Sequence, residues 1–375
     1  MSDVVCIKLF CDHPGCDLSD MGDDSSSHKS FCGEMDEPYF TRNFVRRVLV
    51  EEEGVVAGDA GSVRVMTYNI LEQHQPRFTP QCCEWVSRKR LIVAEMVEYD
   101  PDIICLQEAE PMQFESLLRD LGSAYTGKLN IGAKTHGVAI LFKSAKFVLT
   151  DSRWLHLNKL LAPMKPGKGD TIGEGDVAFW DKMEATDCNA LVLTLETVAH
   201  QKSVCVATTH LHWDPKFPEI RATQMAVLLE TIFRDTIPPE GGSHRPPLLL
   251  CGDLNSMPHM PRDRFNPEAA PVGLLSGVYD LLRKGVLTGS HPHHPCKRRE
   301  GVVSVPYFSN PFTLESAYVT VTGMEASGTL ASIWSTPQLR ARAVLLPPST
   351  DALSAASDDI SLVADYVFEH KILFE

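Results

Sequence analysis

From residue 63 onward, apolar runs of strand length alternate with segments of helical period, and several of the runs end on a polar side chain. Strands are expected at 63–71 (VRVMTYNIL), 102–108 (DIICLQE), 137–143 (GVAILFK), 190–196 (ALVLTLE) and 203–211 (SVCVATTHL). In a further strand Leu248, Leu249, Leu250 and Cys251 form a wholly apolar run, the pattern of a strand buried on both faces. There Gly252 releases the backbone and presents Asp253 and Asn255, followed by Ser256 and Pro258. Helices are expected at 87–99, with Val93, Met96 and Val97 on one face and Pro101 as the stop, and at 111–121. Two more are expected at 218–235, burying Met225, Leu228, Leu229 and Ile232, and at 271–284. The Gly/Pro/Lys-rich stretch 162–175 reads as a mobile loop, and the His-rich 291–299 (HPHHPCKRR) as a solvated one.

Composition changes this picture mainly at the start of the chain. Residues 1–61 carry −8 of the total formal charge of −14, so this acidic, serine-rich leader is expected to be disordered, with 39–50 (YFTRNFVRRVLV) as an arm able to pack on the body. The body, 62–375, is expected to form one domain without internal repeats; at −6 it has no broad basic face, and nucleic acid would have to be gripped locally. Eleven cysteines without a framework indicate free thiols in a reducing compartment, hence a cytoplasmic protein, with the nucleus as the alternative. Cys6, Cys11, His13 and Cys16 have the spacing of no closed zinc site. No apolar run approaches the ~20 residues of a spanning helix, so a soluble protein with no membrane partner is expected.

Four strand ends carry the candidate chemistry: Asn69, Glu108, His210 and the pair Asp253/Asn255. Amides and carboxylates arriving from separate strands suit a hard cation that takes oxygen ligands and keeps its waters, Mg²⁺ or, as the alternative, Mn²⁺. Asp253 and Asn255 could orient or deprotonate an attacking water, and His210 could donate to a phosphate oxygen. This is the inventory of metal-assisted phosphodiester hydrolysis.

YNIL at 68–71, CLQE at 105–108, HGVAILFK at 136–143, THLHWDP at 209–215 and CGDLNSMP at 251–258 resemble the motifs of the endonuclease/exonuclease/phosphatase superfamily. Within it, THLHWDP followed by a helix carrying Gln224 is most similar to the deadenylases of the carbon catabolite repressor type, with nocturnin and Angel proteins more distant. The resemblance implies an α+β fold of two packed mixed β-sheets flanked by helices, a four-layer DNase-I-like sandwich. It also implies Asn69, Glu108 and Asp358 as metal ligands, His210 on the scissile phosphate, Asp253 and Asn255 on the water and the metal, and Pro215 stacking on a base. The implied substrate is RNA with an adenine-rich 3′ end. No leucine-rich repeat precedes the domain to dock it in a deadenylase complex, and the sequence names no protein partner.

The closing motifs depart from the family's. One alignment takes Asp365 in ADYVF as the family's Asp–aromatic motif and makes the chain a truncated fragment. The preferred one takes 329–334 (TLASIW) as that strand and 357–363 (SDDISLV) as the strand of the closing Ser–Asp–His motif. Ala331 and Ser332 then replace the family's Asp and aromatic, Asp359 replaces its His, and GMEASG at 323–328 replaces a longer loop. With both members of the Asp/His dyad gone, the expected protein is a deadenylase-like 3′–5′ exoribonuclease of weak or lost activity. Three other readings stand beside it: an active enzyme in which His370 or another residue replaces the dyad, a non-catalytic RNA-binding or scaffold protein, and a phosphatase or phosphodiesterase on a small nucleotide, against which HWDP argues.

Overall fold

Side-chain alternation along a few central strands decides where the polar groups come to rest. The computed structural model describes residues 49–51, 61–73, 85–161, 174–236, 245–260, 274–298, 307–347 and 360–369. A seven-stranded sheet runs in the order β1 (Leu49–Glu51), β14 (Leu339–Leu345), β15 (Leu362–Phe368), β2 (Ser62–Asn69), β3 (Ile103–Ala109), β5 (Gly137–Lys143) and β4 (Tyr125–Ile131). A six-stranded sheet runs β12 (Glu315–Ser316), β13 (Ala331–Ser335), β9 (Leu248–Asp253), β8 (Ser203–His210), β7 (Asn189–Thr197) and β6 (Phe147–His156). Both are mixed, since β2 pairs parallel with β3 and β8 parallel with β9 while their other neighbours are antiparallel. A small ribbon, β10 (Val286–Thr288) with β11 (Tyr307–Ser309), stands apart from them.

The sheets pack face to face. Val65, Cys105 and Ile140 from the first meet Leu193, Val206, Cys251 and Ile333 from the second in a shared core. With a period of two, the opposite faces point outward. Met66, Ile104 and Leu141 pack under α1 (Trp85–Tyr99) and α2 (Pro111–Leu121). Cys205, Leu250 and Trp334 pack under α3 (Leu157–Leu161), α4 (Glu174–Ala185), α5 (Pro218–Asp235), α6 (Gly277–Lys284) and α7 (Pro295–Arg298). The result is helix–sheet–sheet–helix, the expected four-layer α+β sandwich. A short helix, α8 (Ala317–Thr322), joins the two sheets at their rim, where Tyr318 Oη donates to Leu345 O at 2.7 Å.

Several details differ from the sequence reading. The buried stripe of α1 is Trp85, Arg88, Ile92, Met96 and Tyr99; Val93 is half-buried, and Val97 is 65% exposed because it lies beyond that stripe. The helix expected from 271 begins only at Gly277, because Met260 N donates to Leu274 O and Ser276 N to Pro258 O, tying 274–276 back onto 258–260 as extended chain. The His-rich turn is no solvated loop. His291 and His294 are buried, His293 Nδ1 accepts Gly277 N (3.0 Å) and His294 Nδ1 accepts Cys296 N (3.1 Å), so the imidazoles satisfy amides that open α6 and α7. Glu174 and Gly175, read as loop, start α4; 162–173 lie outside the described residues. So do the leader 1–48 with Cys6, Cys11, His13 and Cys16, whereas Leu49 and Val50 pair with β14. Among the described residues Cys105, Cys188, Cys205, Cys251 and Cys296 are free thiols, and no helix is long and apolar enough to cross a membrane.

Candidate active site

Counting along the inner faces of the central strands leads to one spot. In β2 the inner series Val63, Val65 and Thr67 continues to Asn69; in β8, Val204, Val206 and Thr208 continue to His210. In β9, Leu249 and Cys251 continue to Asp253, and β13 starts its inner series at Ala331. His210 and Ala331 are the Cα partners of Asp253 on either side of it. The strands therefore deliver Asn69, His210, Asp253 and Ala331 to the same rim of the inter-sheet core, whose deeper positions are apolar.

Glu108 arrives by a different device. The β3–β5 register shifts between Gln107 and Ala109, and Glu108 itself has φ +56°, a strained backbone for a non-glycine residue. This bulge re-aims its carboxylate at Asn69. Below it Gln107 Nε2 donates to Thr67 Oγ1 (3.1 Å) and Thr208 Oγ1 (3.0 Å), a buried polar bridge that fixes the two sheets beneath the site. Gly252 answers a close approach: at φ +148°, a Cβ on it would lie 2.1 Å from Thr209 O.

Asn69 Nδ2 donates to Glu108 Oε1 and to Asp253 Oδ2, both at 3.1 Å, so one amide joins carboxylates from opposite sheets. His210 Nε2 lies 3.5 Å from Asp253 Oδ2 and its Nδ1 4.0 Å from Glu108 Oε1. The other Asp253 oxygen accepts Asn255 N at 2.8 Å, and Asn255, at φ +47°, turns its Nδ2 onto Leu211 O at 2.9 Å. Glu108 Oε2 accepts Glu72 N at 3.1 Å. Burial pushes the Glu108 carboxyl up, but His210, the Glu72 amide, Asn69 and His136 together outweigh burial and hold it below its ordinary value.

A cleft of about 180 Å³ opens beside His210, lined among others by Lys134, His136, Lys182, Asn189, His212 and Trp213. Burial, reinforced by Lys182 and Arg221, depresses His212 to about 4. Trp213 is 55% exposed. Pro215, the residue expected to stack on a base, is exposed and is not among the cleft's lining residues.

Asn69, Glu108, His210 and Asp253 thus converge, and Asn255 reaches the group through its backbone. Asp358, Asp359 and His370 lie outside the described residues. The alignment through Asp365 fails on geometry: Asp365 faces Arg64, whose Nε and Nη2 donate to its two oxygens at 2.6 and 2.7 Å, and its register partner is Arg64 rather than a residue of the site. In the same register Leu362 pairs with Thr67, two residues short of Asn69, and Ile360 Cδ1 lies 3.7 Å from where a Cβ on Gly328 would stand. The chain just before β15 therefore runs beside the start of β13. Of the two replaced positions on β13, Ala331 faces the site, whereas Ser332 faces the helical layer, its Oγ accepting from Trp334 Nε1.

Sequence reasoning passed over His136, Glu72 and Trp213. Each had a signal. His136 immediately precedes a strand antiparallel to β3, so it starts at the rim where β3 ends; Glu72 follows the end of β2, and Trp213 stands between two residues that were weighed.

The fold has counterparts in known proteins. Residues 66–299 match the model of the Endonuclease/Exonuclease/phosphatase family. The CCR4-Not complex 3'-5'-exoribonuclease subunit Ccr4 of Candida glabrata is 29% identical over 280 residues, 68% of this chain and 29% of that protein. The subunit of the same name from Aspergillus oryzae is 26% identical over 379 residues, 82% of this chain and 48% of that protein. The chain thus spans less than half the length of these curated relatives. Among solved structures, ANGEL2, a 2',3'-cyclic phosphatase, in complex with adenosine-2',3'-vanadate superposes with a TM-score of 0.62 at 23% identity, covering 87% of this chain and 99% of that one. The human Nocturnin catalytic domain with bound sulfate gives 0.56 at 23% identity, covering 88% and 99%. At such identities the two structures speak for the fold.

Proposed function

The chain belongs to the endonuclease/exonuclease/phosphatase family, and we propose that it is a phosphodiester hydrolase acting from the 3′ end of adenine-rich RNA, at a rate far below that of a complete site. One observation carries this reading. A single amide, Asn69, joins Glu108 and Asp253 beside His210, while the strand partner on the other side of Asp253 is Ala331, which has nothing to offer a proton or a phosphate. The relatives named as 3'-5'-exoribonucleases support the substrate class and the direction.

Asp253 sits where it can take a proton from a water, with one oxygen pinned by the Asn255 amide and the other facing His210. His210, at the mouth of the cleft, can donate to a phosphate oxygen. Among the described residues no three His, Cys, Asp or Glu side chains form a ready cluster of metal ligands. Two carboxylates meeting at one amide nevertheless suit a hard divalent cation of the Mg²⁺ or Mn²⁺ kind, which Glu108 would hold with Asp358, the ligand the family resemblance implies. Asn69 would contribute its Oδ1, here accepting Leu71 N, in place of the Nδ2 it turns to the carboxylates. Such a cation supplies positive charge against the phosphate as negative charge develops on it. Lys134 and Lys182 line the cleft through which an RNA strand would run, with Trp213 offering an open aromatic face to a base.

Losing a positioned acid–base group costs about 10²–10⁴-fold in rate. The same vacancy at Ala331 supports a second reading, RNA binding without turnover. Incubating the purified protein with 5′-labelled poly(A) and Mg²⁺ separates them. Slow shortening from the 3′ end, stopped by a chelator and weaker on poly(C), is the expected result; early release of the 5′ label, or brisk turnover, contradicts the proposal. Binding without any shortening selects the second reading.

A further inference from the structure

We propose that His136, which stands against Glu72, is a second phosphate contact of the cleft it shares with His210; this rests on the hydrolase reading above. The two oxygens of Glu108 are approached from different sides. Oε1 meets Asn69 Nδ2 and His210, whereas Oε2 accepts Glu72 N. The Glu72 carboxylate turns away from that contact, and its Oε2 lies against His136 Nδ1. His136 and His210 line the same cleft, and both act electrostatically on Glu108.

The placement of His136 is built in. Gly137 pairs with Ala109, the residue just past the Glu108 bulge, and a Cβ on Gly137 would lie 1.8 Å from Asn130 O. The strand start next to His136 is therefore clamped between β3 and β4. Its side chain is 15% exposed and that of Glu72 19%, so both are largely enclosed, and His136 lines the cleft.

The charges settle what such a pair can do. A lone Glu72 at this rim would repel a phosphate. Nδ1 of His136 lies toward the Glu72 carboxylate, so Nε2 is the ring edge left to meet a non-bridging phosphate oxygen. The phosphate then gains a second partner in the cleft besides His210. Ala331 provides none on its own side. His136 is thus the substrate contact and Glu72 a positioning residue.

A fluorescein-labelled oligoadenylate with phosphorothioate linkages, followed by anisotropy, reads the contact without requiring cleavage. His136→Ala is expected to weaken binding about tenfold, the scale of one charge-assisted hydrogen bond. Glu72→Gln is expected to weaken it about threefold, and with cleavable poly(A) to raise KM more than it lowers kcat, a split that a purely structural role would not give. His136→Arg places a donor at the same position and is expected to recover part of the affinity. Where alanine disturbs folding, His136→Asn replaces it, with the same expectation. Binding by folded His136→Ala or His136→Asn equal to that of the parent overturns the proposal and leaves the hydrolase reading intact. A parent that binds but never cleaves defeats the hydrolase reading, and the affinities of the variants still decide on His136. A parent that does not bind the oligoadenylate overturns both.

Discussion

Asn69 is the residue on which both carboxylates depend, and its neighbours divide into those that fix geometry and those that lack chemistry. Gly252 fixes geometry. With Thr209 O 2.1 Å from its missing Cβ and φ at +148°, Gly252→Ala is expected to cost on the order of 3 kcal/mol or more, read as a fall in the urea midpoint; an unchanged midpoint would refute the close approach. Ala331 lacks chemistry. Since it stands opposite Asp253, restoring a carboxylate there together with an imidazole at the other replaced position, as in Ala331→Asp with Asp359→His, is expected to raise the rate of poly(A) shortening by about 10²-fold. Ala331→Asp alone adds a like charge beside Asp253 and is expected to bring no gain. Ser332→Tyr, whose position faces the helical layer and Trp334, is expected to leave the rate unchanged.

At the scale of elements, the ends of strands do the work and helices hold them. Buried Arg88 on α1 donates to Ile70 O and, at 2.9 Å, to Leu71 O, which anchors the segment between Asn69 and Glu72. Arg88→Met would remove the donors from two carbonyls and is expected to cost about 2–3 kcal/mol in chemical denaturation, with a loss of activity beyond what the folded fraction explains. The central strands were legible in the sequence because they are buried on both faces: 137–143 coincides with β5, and the apolar run from Leu248 with the start of β9. β4 (YTGKLNI) and β6 (FVLTDSRWLH) were missed because each is the outermost strand of its sheet and mixes polar with apolar residues. Four of the site residues were legible for the same reason, as polar ends of apolar runs. The Glu108 bulge was not, because a backbone with positive φ at a glutamate leaves no compositional trace. Nor was the pairing of Glu72 with His136, which joins a loop to the start of a strand far along the chain. The histidines of 291–299 misled because proline and basic neighbours mark a loop, while their role as acceptors for buried amides depends on tertiary contacts.

At the scale of the whole molecule, buried histidines link stability to acid. Burial, aided by neighbouring Lys182 and Arg221 for His212 and by His291 for His294, depresses both rings from 6.5 to about 4. Being neutral in the fold, they contribute their full stability above about pH 6.5 and lose it as pH falls from there towards about 4, roughly 2 kcal/mol each at pH 5. The melting temperature is therefore expected to drop between pH 7 and pH 5, and more gently in His294→Gln; equal slopes would contradict the assignment. The two sheets and their helical layers are those of the family, and at one rim between the sheets Asn69, Glu108, His210 and Asp253 are assembled, with Ala331 the strand partner of Asp253. The most direct test is the rate of 3′ shortening of poly(A) in Mg²⁺ by the parent and by Glu108→Ala. Slow turnover by the parent, reduced at least ~10²-fold in Glu108→Ala, is the result expected if that rim is the active site. Equal turnover by the two proteins would contradict it.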